Sequence, residues 1–180
     1  MNKLKTLIIL MTLFFISCQR ESPGPKIVLI HYSNGNLFCE GSHIYSSQKK
    51  DSIRVGIWKF YFPNGQLEGE EEYDETGTLI RSNLYSPSGV LIASGSIKEG
   101  LMFTSDFYDS GMLKRETVTR IESDEDKSNG PVHYKDYYPN GHLMEELQTI
   151  DGEYDGPMKR WDENGNLVLE VNFHKGLVQK

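Results

Sequence analysis

The sequence predicts an all-β fold, an elongated antiparallel meander of repeated hairpins, and three observations predict it. A glycine is followed two residues later by a leucine seven times, at Gly35/Leu37, Gly65/Leu67, Gly77/Leu79, Gly89/Leu91, Gly111/Leu113, Gly141/Leu143 and Gly165/Leu167. Four residues before each glycine stands a ring: His31, Tyr61, Tyr73, Tyr85, Phe107, Tyr137 and Trp161. The residue just before the glycine is always Asn, Ser or Thr, and from Lys26 onward short alternating runs show no 3.6-residue apolar period.

One geometry explains the offsets. A three-residue hairpin loop is a type I turn followed by a residue at positive φ, a position glycine occupies without steric penalty, while proline's fixed φ suits the first loop position. Pro63, Pro87 and Pro139 stand at that first position. Positions −3 and +1 relative to the glycine then close the hairpin, and ring faces leucine at −4 and +2. Such a pair contributes about 0.2–1 kcal/mol, small beside a backbone ordering cost of about 1–2 kcal/mol per residue. Each hairpin therefore needs its neighbours in the sheet.

The chain begins with Lys3 and Lys5, an apolar run from Leu7 to Ile16, and Ser17-Cys18. This reads as a secretory signal over residues 1–17, since a membrane-spanning helix needs about 20 apolar residues. A small residue directly before a cysteine resembles the bacterial lipobox. That resemblance implies lipidation of Cys18, which becomes the mature N-terminus, with 18–25 as lipidated cysteine and polar tether. Several acyl chains anchor stably where one gives marginal binding. Gln19 is not the aspartate that retains enteric-type lipoproteins in the inner membrane, so the expected place is the envelope's outer membrane. Removing the leader leaves 17 basic and 26 acidic residues, a formal −9. An anionic bilayer repels such a body, which leaves the lipid as the anchor, and nucleic acid is an unsuitable partner.

About twelve short strands follow, at 27–32, 37–45, 54–62, 66–73, 78–85, 90–97, 101–108, 112–121, 131–138, 142–150, 157–161 and 166–173. They make a repeat domain over 26–176, and 177–180 reads as a tail. The spacing of twelve from Gly65 to Gly77 to Gly89 places Tyr73 and Tyr85 each eight residues after one glycine and four before the next. Strict alternation keeps both on the face of Leu67 and Leu79, taken as the packed side, and places Cys39 beside Leu37 as a small packed hydrophobe without chemistry. The other face is expected to carry Gln66, Glu68, Glu70 and Glu72 together with Trp58, Phe60, Phe62, Tyr32, Tyr108, Tyr134 and Tyr138. Aromatics on an acidic face are either a second packed layer or a partner-binding patch, and Trp58, Phe60, Phe62, Tyr108, Tyr134 and Tyr138 are the candidates for the latter. Whether the sheet stays an open ribbon or closes is left open at this level.

Gly56-Ile57-Trp58-Lys59-Phe60-Tyr61-Phe62-Pro63-Asn64-Gly65-Gln66-Leu67 and Gly156-Pro157-Met158-Lys159-Arg160-Trp161-Asp162-Glu163-Asn164-Gly165-Asn166-Leu167, with Phe173-His174-Lys175-Gly176 closing the last unit, resemble MORN repeats. The resemblance covers about residues 24–176 and is to the variant repeat of YwqK-like antitoxin proteins. It implies a binding or scaffolding module, and a fold alone does not name an activity.

No HExxH, P-loop or GxSxG is present, and His31, His43, His133, His142 and His174 have no metal-ligand spacing, so no catalytic residue, metal or cofactor is assigned. His31 is expected to pack. The acidic run Glu122 to Asp126 reads as a solvated loop, with calcium binding as the rival. The expected function is non-enzymatic: a lipid-anchored envelope protein that binds a protein partner, in a toxin-antitoxin or immunity role, with no small-molecule substrate. The alternatives are a structural envelope spacer and a hydrolase with an unrecognised acidic site.

Overall fold

The computed structural model describes residues 24–121 and 132–180. The leader, Cys18 and the acidic run 122–126 lie outside the described residues.

Among the described residues fourteen strands form one antiparallel sheet: β1 Lys26–His31, β2 Leu37–Ser46, β3 Asp51–Tyr61, β4 Leu67–Tyr73, β5 Leu79–Tyr85, β6 Leu91–Lys98, β7 Leu101–Phe107, β8 Leu113–Arg120, β9 Val132–Tyr137, β10 Leu143–Ile150, β11 Glu153–Tyr154, β12 Gly156–Trp161, β13 Leu167–His174 and β14 Leu177–Gln179. Each strand pairs with its sequence neighbours, except that β11 and β12 both pair β10 along one broken line. The sheet is an open meander with β1 and β14 at its ends. Two strands exceed the sequence expectation: β11, and β14, which occupies the expected tail.

The seven turn glycines have φ between 78° and 88°. In each loop the glycine N–H donates to the carbonyl at −3, and the N–H at −3 donates to the carbonyl at +1, as in Gly65 to Phe62 and Phe62 to Gln66, both 2.8 Å. The preference for Asn at −1 has a local cause: Asn34, Asn64 and Asn140 each accept the N–H at +1 through Oδ1 at 3.0 Å. Where −3 is aspartate, that carboxylate takes over, as Asp74 accepts from Thr76 N and Thr78 N and Asp162 from Asn164 N and Asn166 N. Two-residue loops at Glu99-Gly100, Asp151-Gly152 and Lys175-Gly176 have both residues at positive φ, the type I′ arrangement.

Ring and leucine are register partners in all seven hairpins, from His31/Leu37 to Trp161/Leu167. Immediately beyond, every hairpin carries a β-bulge. Tyr61 pairs Leu67 but Phe60 pairs Gly69, so Glu68 is an extra residue, and Phe38, Ile80, Ile92, Lys114, Met144 and Val168 are its counterparts. One extra residue reverses the alternation along the rest of the strand. Tyr73 and Leu79 therefore face away from Tyr61 and Leu67, and Cys39 faces away from Leu37. Glu70 and Glu72 move to the ring face, leaving Glu71 with Trp58. These are corrections to the simple alternation expected from sequence.

A second correction concerns the packed side. The sheet is a single layer, and the only buried apolar residues among those described are Cys39, 2% exposed, and Trp58, 5% exposed. Both lie on the face opposite Tyr61. The rings and leucines are half-buried, apart from His31 and Leu167, which are exposed, so His31 is no packing residue. A meander also sends successive turns to alternate edges. Six of the seven glycine turns share one edge, while Gly77 stands alone on the other, where Lys49 Nζ donates to Thr76 O at 2.9 Å.

Candidate functional site

The face carrying Trp58, here the tryptophan face, is built from two parallel rows of register partners crossing the strands. One row runs Cys39, Phe60, Gly69, Leu84, Ala93, Asp106, Arg115, Asp136, Glu145, Arg160. The other runs Trp58, Glu71, Ser82, Gly95, Thr104, Thr117, Tyr134, Leu147. In the second row Ser82, Gly95, Thr104 and Thr117 form a run of small residues, and in the first the small Gly69 and Ala93 stand on either side of Leu84. Between them lies a trough of about 700 Å³, with Phe38 and Phe60 at one end, Thr104 and Asp106 at the other, and Gly69, Ser82, Ala93 and Gly95 in its floor.

The Trp58 end is held by a dense set of contacts. An ideal Cβ on Gly41 would fall 2.2 Å from Trp58 Cδ2, so the absence of a side chain there lets the indole lie on the β2 backbone. The indole Nε1 donates to Ser42 O at 2.9 Å. Above it the Arg54 guanidinium sits 4.6, 5.4 and 5.7 Å from the Trp58, Phe60 and Tyr73 ring centroids. Its Nη1 donates to Glu71 at 2.9 Å and to the Tyr73 hydroxyl at 3.0 Å, and Tyr73 donates to Glu71 at 2.6 Å. Desolvation pushes the Tyr73 hydroxyl above its usual pKa, and its bond to Glu71 adds to the shift. Burial likewise pushes the Cys39 thiol up, away from a nucleophilic thiolate.

Beyond Asp106 the face is closed by ion pairs. Arg115 forks onto Asp136, Nε to Oδ1 at 2.5 Å and Nη2 to Oδ2 at 2.7 Å, and Arg160 bonds Glu145. The trough is therefore the open part of a face whose other half pairs with itself.

Of the six aromatics singled out from sequence, all lie on this face, but they differ in what they can offer. Trp58 is buried against the β2 backbone and does not itself line the trough. Phe60 and Phe62 are half-buried, and Phe60 borders the trough. Tyr134 stands in the same row as Trp58, beyond Thr117. Tyr108 and Tyr138 are half-buried and spend their hydroxyls on neighbouring hairpins, donating to Tyr137 O at 2.7 Å and Trp161 O at 2.9 Å. Sequence reasoning missed the floor. Its signal was smallness at corresponding repeat positions, Gly69 and Ala93 at +4 and Glu71 replaced by Gly95 at +6, which only the register of the bulges turns into a common surface.

Two carboxylates with lowered pKa lie elsewhere, in turns. The Thr76 hydroxyl and turn amides hold Asp74 below the usual range, and Asn166 does the same for Asp162. Both shifts come from loop geometry. Among the described residues, no group of three His, Cys, Asp or Glu is placed to hold a metal.

The hairpins themselves connect this geometry to known proteins. Three stretches match the MORN repeat variant, at residues 54–75, 132–151 and 154–175. Each MORN-variant stretch holds one glycine turn of the crowded edge, at Gly65, Gly141 and Gly165, and the strands flanking it. Of the trough floor, Gly69 lies in the first match, while Ser82, Ala93 and Gly95 fall between the first match and the second. A comparison with curated proteins finds no match. The MORN-variant repeats mark a repeat-built protein of binding or structural type.

Proposed function

We propose that this chain is a non-enzymatic, lipid-anchored binding protein of the bacterial envelope, and that its partner is a protein held against the trough on the tryptophan face. The observation that carries the reading is the trough itself: the small Gly69, Ser82, Ala93 and Gly95 leave an open concavity between aromatic and charged ends, and Arg54 holds two of its lining residues, packing on Phe60 and bonding Glu71. Aromatic anchors beside a preformed depression are what a protein interface uses. The anchor rests on Cys18 after the apolar run, with outer-membrane placement suggested by Gln19. The antitoxin or immunity role is the concrete form suggested by the resemblance to YwqK-like repeats.

Two measurements test it. Metabolic palmitate labelling should mark the wild type and fail in Cys18→Ala; an unlabelled wild type removes the anchor from the reading. Pull-down from envelope extracts should recover a specific protein with the wild type and lose it with Ala93→Arg, which fills the floor without touching a turn. Recovery of the same protein by both would remove the trough as its site, and recovery of none would leave the spacer reading in its place.

A further inference from the structure

We infer that the β1 edge is a self-complementary pairing surface, and that the chain dimerises through it, β1 against β1 of a second copy, into one continuous sheet. The inference is independent of the trough.

The two ends of the sheet are protected unequally. β14 is a three-residue strand, short enough to offer little to a neighbour. β1 has six residues, Lys26–His31, and its central four are all apolar. Ile27 is 79% exposed, Leu29 56% and Ile30 47%. It has no bulged residue of its own, no proline and no inward charge, the usual devices that blunt an edge.

The hydrogen-bond phase says which residues can pair outward. Tyr32 N donates to Asn36 O inside the hairpin, so, alternating back along the strand, Ile30 and Val28 bond to β2 while His31, Leu29 and Ile27 direct their N–H and C=O away from it. Two copies related by a two-fold axis perpendicular to the sheet must join like faces. With Leu29 on the axis, Leu29 pairs with Leu29, Ile27 with His31 and Val28 with Ile30. Every outward backbone group from Ile27 to His31 then finds a partner, and apolar side chains meet apolar side chains at the centre of both faces. Lys26 falls outside the paired core, so the two-fold brings no like charges into opposition. Self-pairing is thus permitted in backbone phase, side-chain face and charge at one register.

The register makes the test specific. In the full-length chain in detergent, sedimentation equilibrium should give a dimer for the wild type. Leu29→Pro removes an outward N–H that β2 does not use, and should weaken the dimer at least tenfold with an unchanged far-ultraviolet dichroism spectrum. Leu29→Lys serves the same purpose should the proline disturb β1. In a Cys18→Ser background, mild oxidation should cross-link Leu29→Cys and spare Val28→Cys. A monomeric wild type overturns the inference, as does a dimer that survives both Leu29 substitutions or cross-links equally well through Val28→Cys.

Discussion

Gly65 shows what one residue decides here. Its φ of +86° sits where no β-branched residue is at ease, and an added Cβ would meet nothing within 4 Å, so any penalty at this position is conformational and none of it is crowding. Gly65→Val should lower the denaturant midpoint well below that of Gln66→Val, because the next residue is exposed and outside the strained loop position. Equal midpoints would remove the bulged-turn explanation for the whole glycine series. Leu67, its neighbour at +2, is half-buried, so Leu67→Ala is worth about 1–2 kcal/mol, below the roughly 2–5 kcal/mol of a sealed site. A second residue-scale prediction concerns Tyr61 and Tyr137, whose hydroxyls donate to Glu40 and Glu116, both at 2.6 Å. The bond to Glu40 chiefly raises Tyr61 to about 12; burial first and the bond to Glu116 second raise Tyr137 to about 12. The folded state thus keeps these protons when the unfolded chain has released them. Their contribution is fully present below pH 10 and is lost as pH rises toward 12. Phenolate absorbance should show Glu40→Gln ionising one tyrosine earlier than the wild type; an unchanged titration curve would disprove the coupling.

At the scale of the strand and hairpin, the sequence read well where chemistry repeats and badly where only a count matters. Turn glycines, prolines and ring-leucine partners were all legible, because a loop at positive φ restricts which residues can occupy it. The bulge was not. Phe38, Glu68, Ile80, Ile92, Lys114, Met144 and Val168 have no side-chain chemistry in common, since what the position requires is an additional residue. Missing it turned Tyr73, Cys39, Glu70 and Glu72 to the wrong face, and with them the identity of the better-covered side. Burial of Trp58 was illegible for a related reason: it depends on Gly41 lying across the strand boundary, where β3 has residues in excess of β2. Hairpins are also tied to one another at their turns. Tyr138 donates to Trp161 O, Asn140 to Glu163 O at 2.8 Å, and the His142 Nδ1–H to the same carbonyl at 2.7 Å. Tyr138→Phe should therefore cost about 0.5–1.5 kcal/mol, the net value of one such bond, and urea midpoints would measure it. A loss near zero would mean that water replaces the carbonyl contact at no cost.

Across the molecule, the strand pairing among the described residues runs between neighbours in the sheet, so stability is expected to be local and additive along it. The two buried apolar residues belong to β2 and β3, while β13 is exposed at all positions except Val171 and Phe173 and β14 at all of its positions. Amide hydrogen exchange should accordingly be slowest around β2 to β4 and quicken toward β14. Uniform protection from end to end would indicate a single cooperative unit, contrary to a one-dimensional array. The alternation of turns between the two edges, coupled to the bulge in every glycine-turn hairpin, also bears on how such a chain can grow by gene duplication. Copying the twelve residues from Gly65 to Gly77 would rotate every later strand by half a turn, carrying the downstream ion pairs to the opposite side and the crowded row of turns to the opposite edge. Copying the 24 residues from Gly65 to Gly89 would instead lengthen the sheet by about 10 Å, two strand spacings, and leave everything downstream facing as before. Recombination can therefore extend this molecule only in whole hairpins, since the smaller increment inverts the half of the protein that follows it.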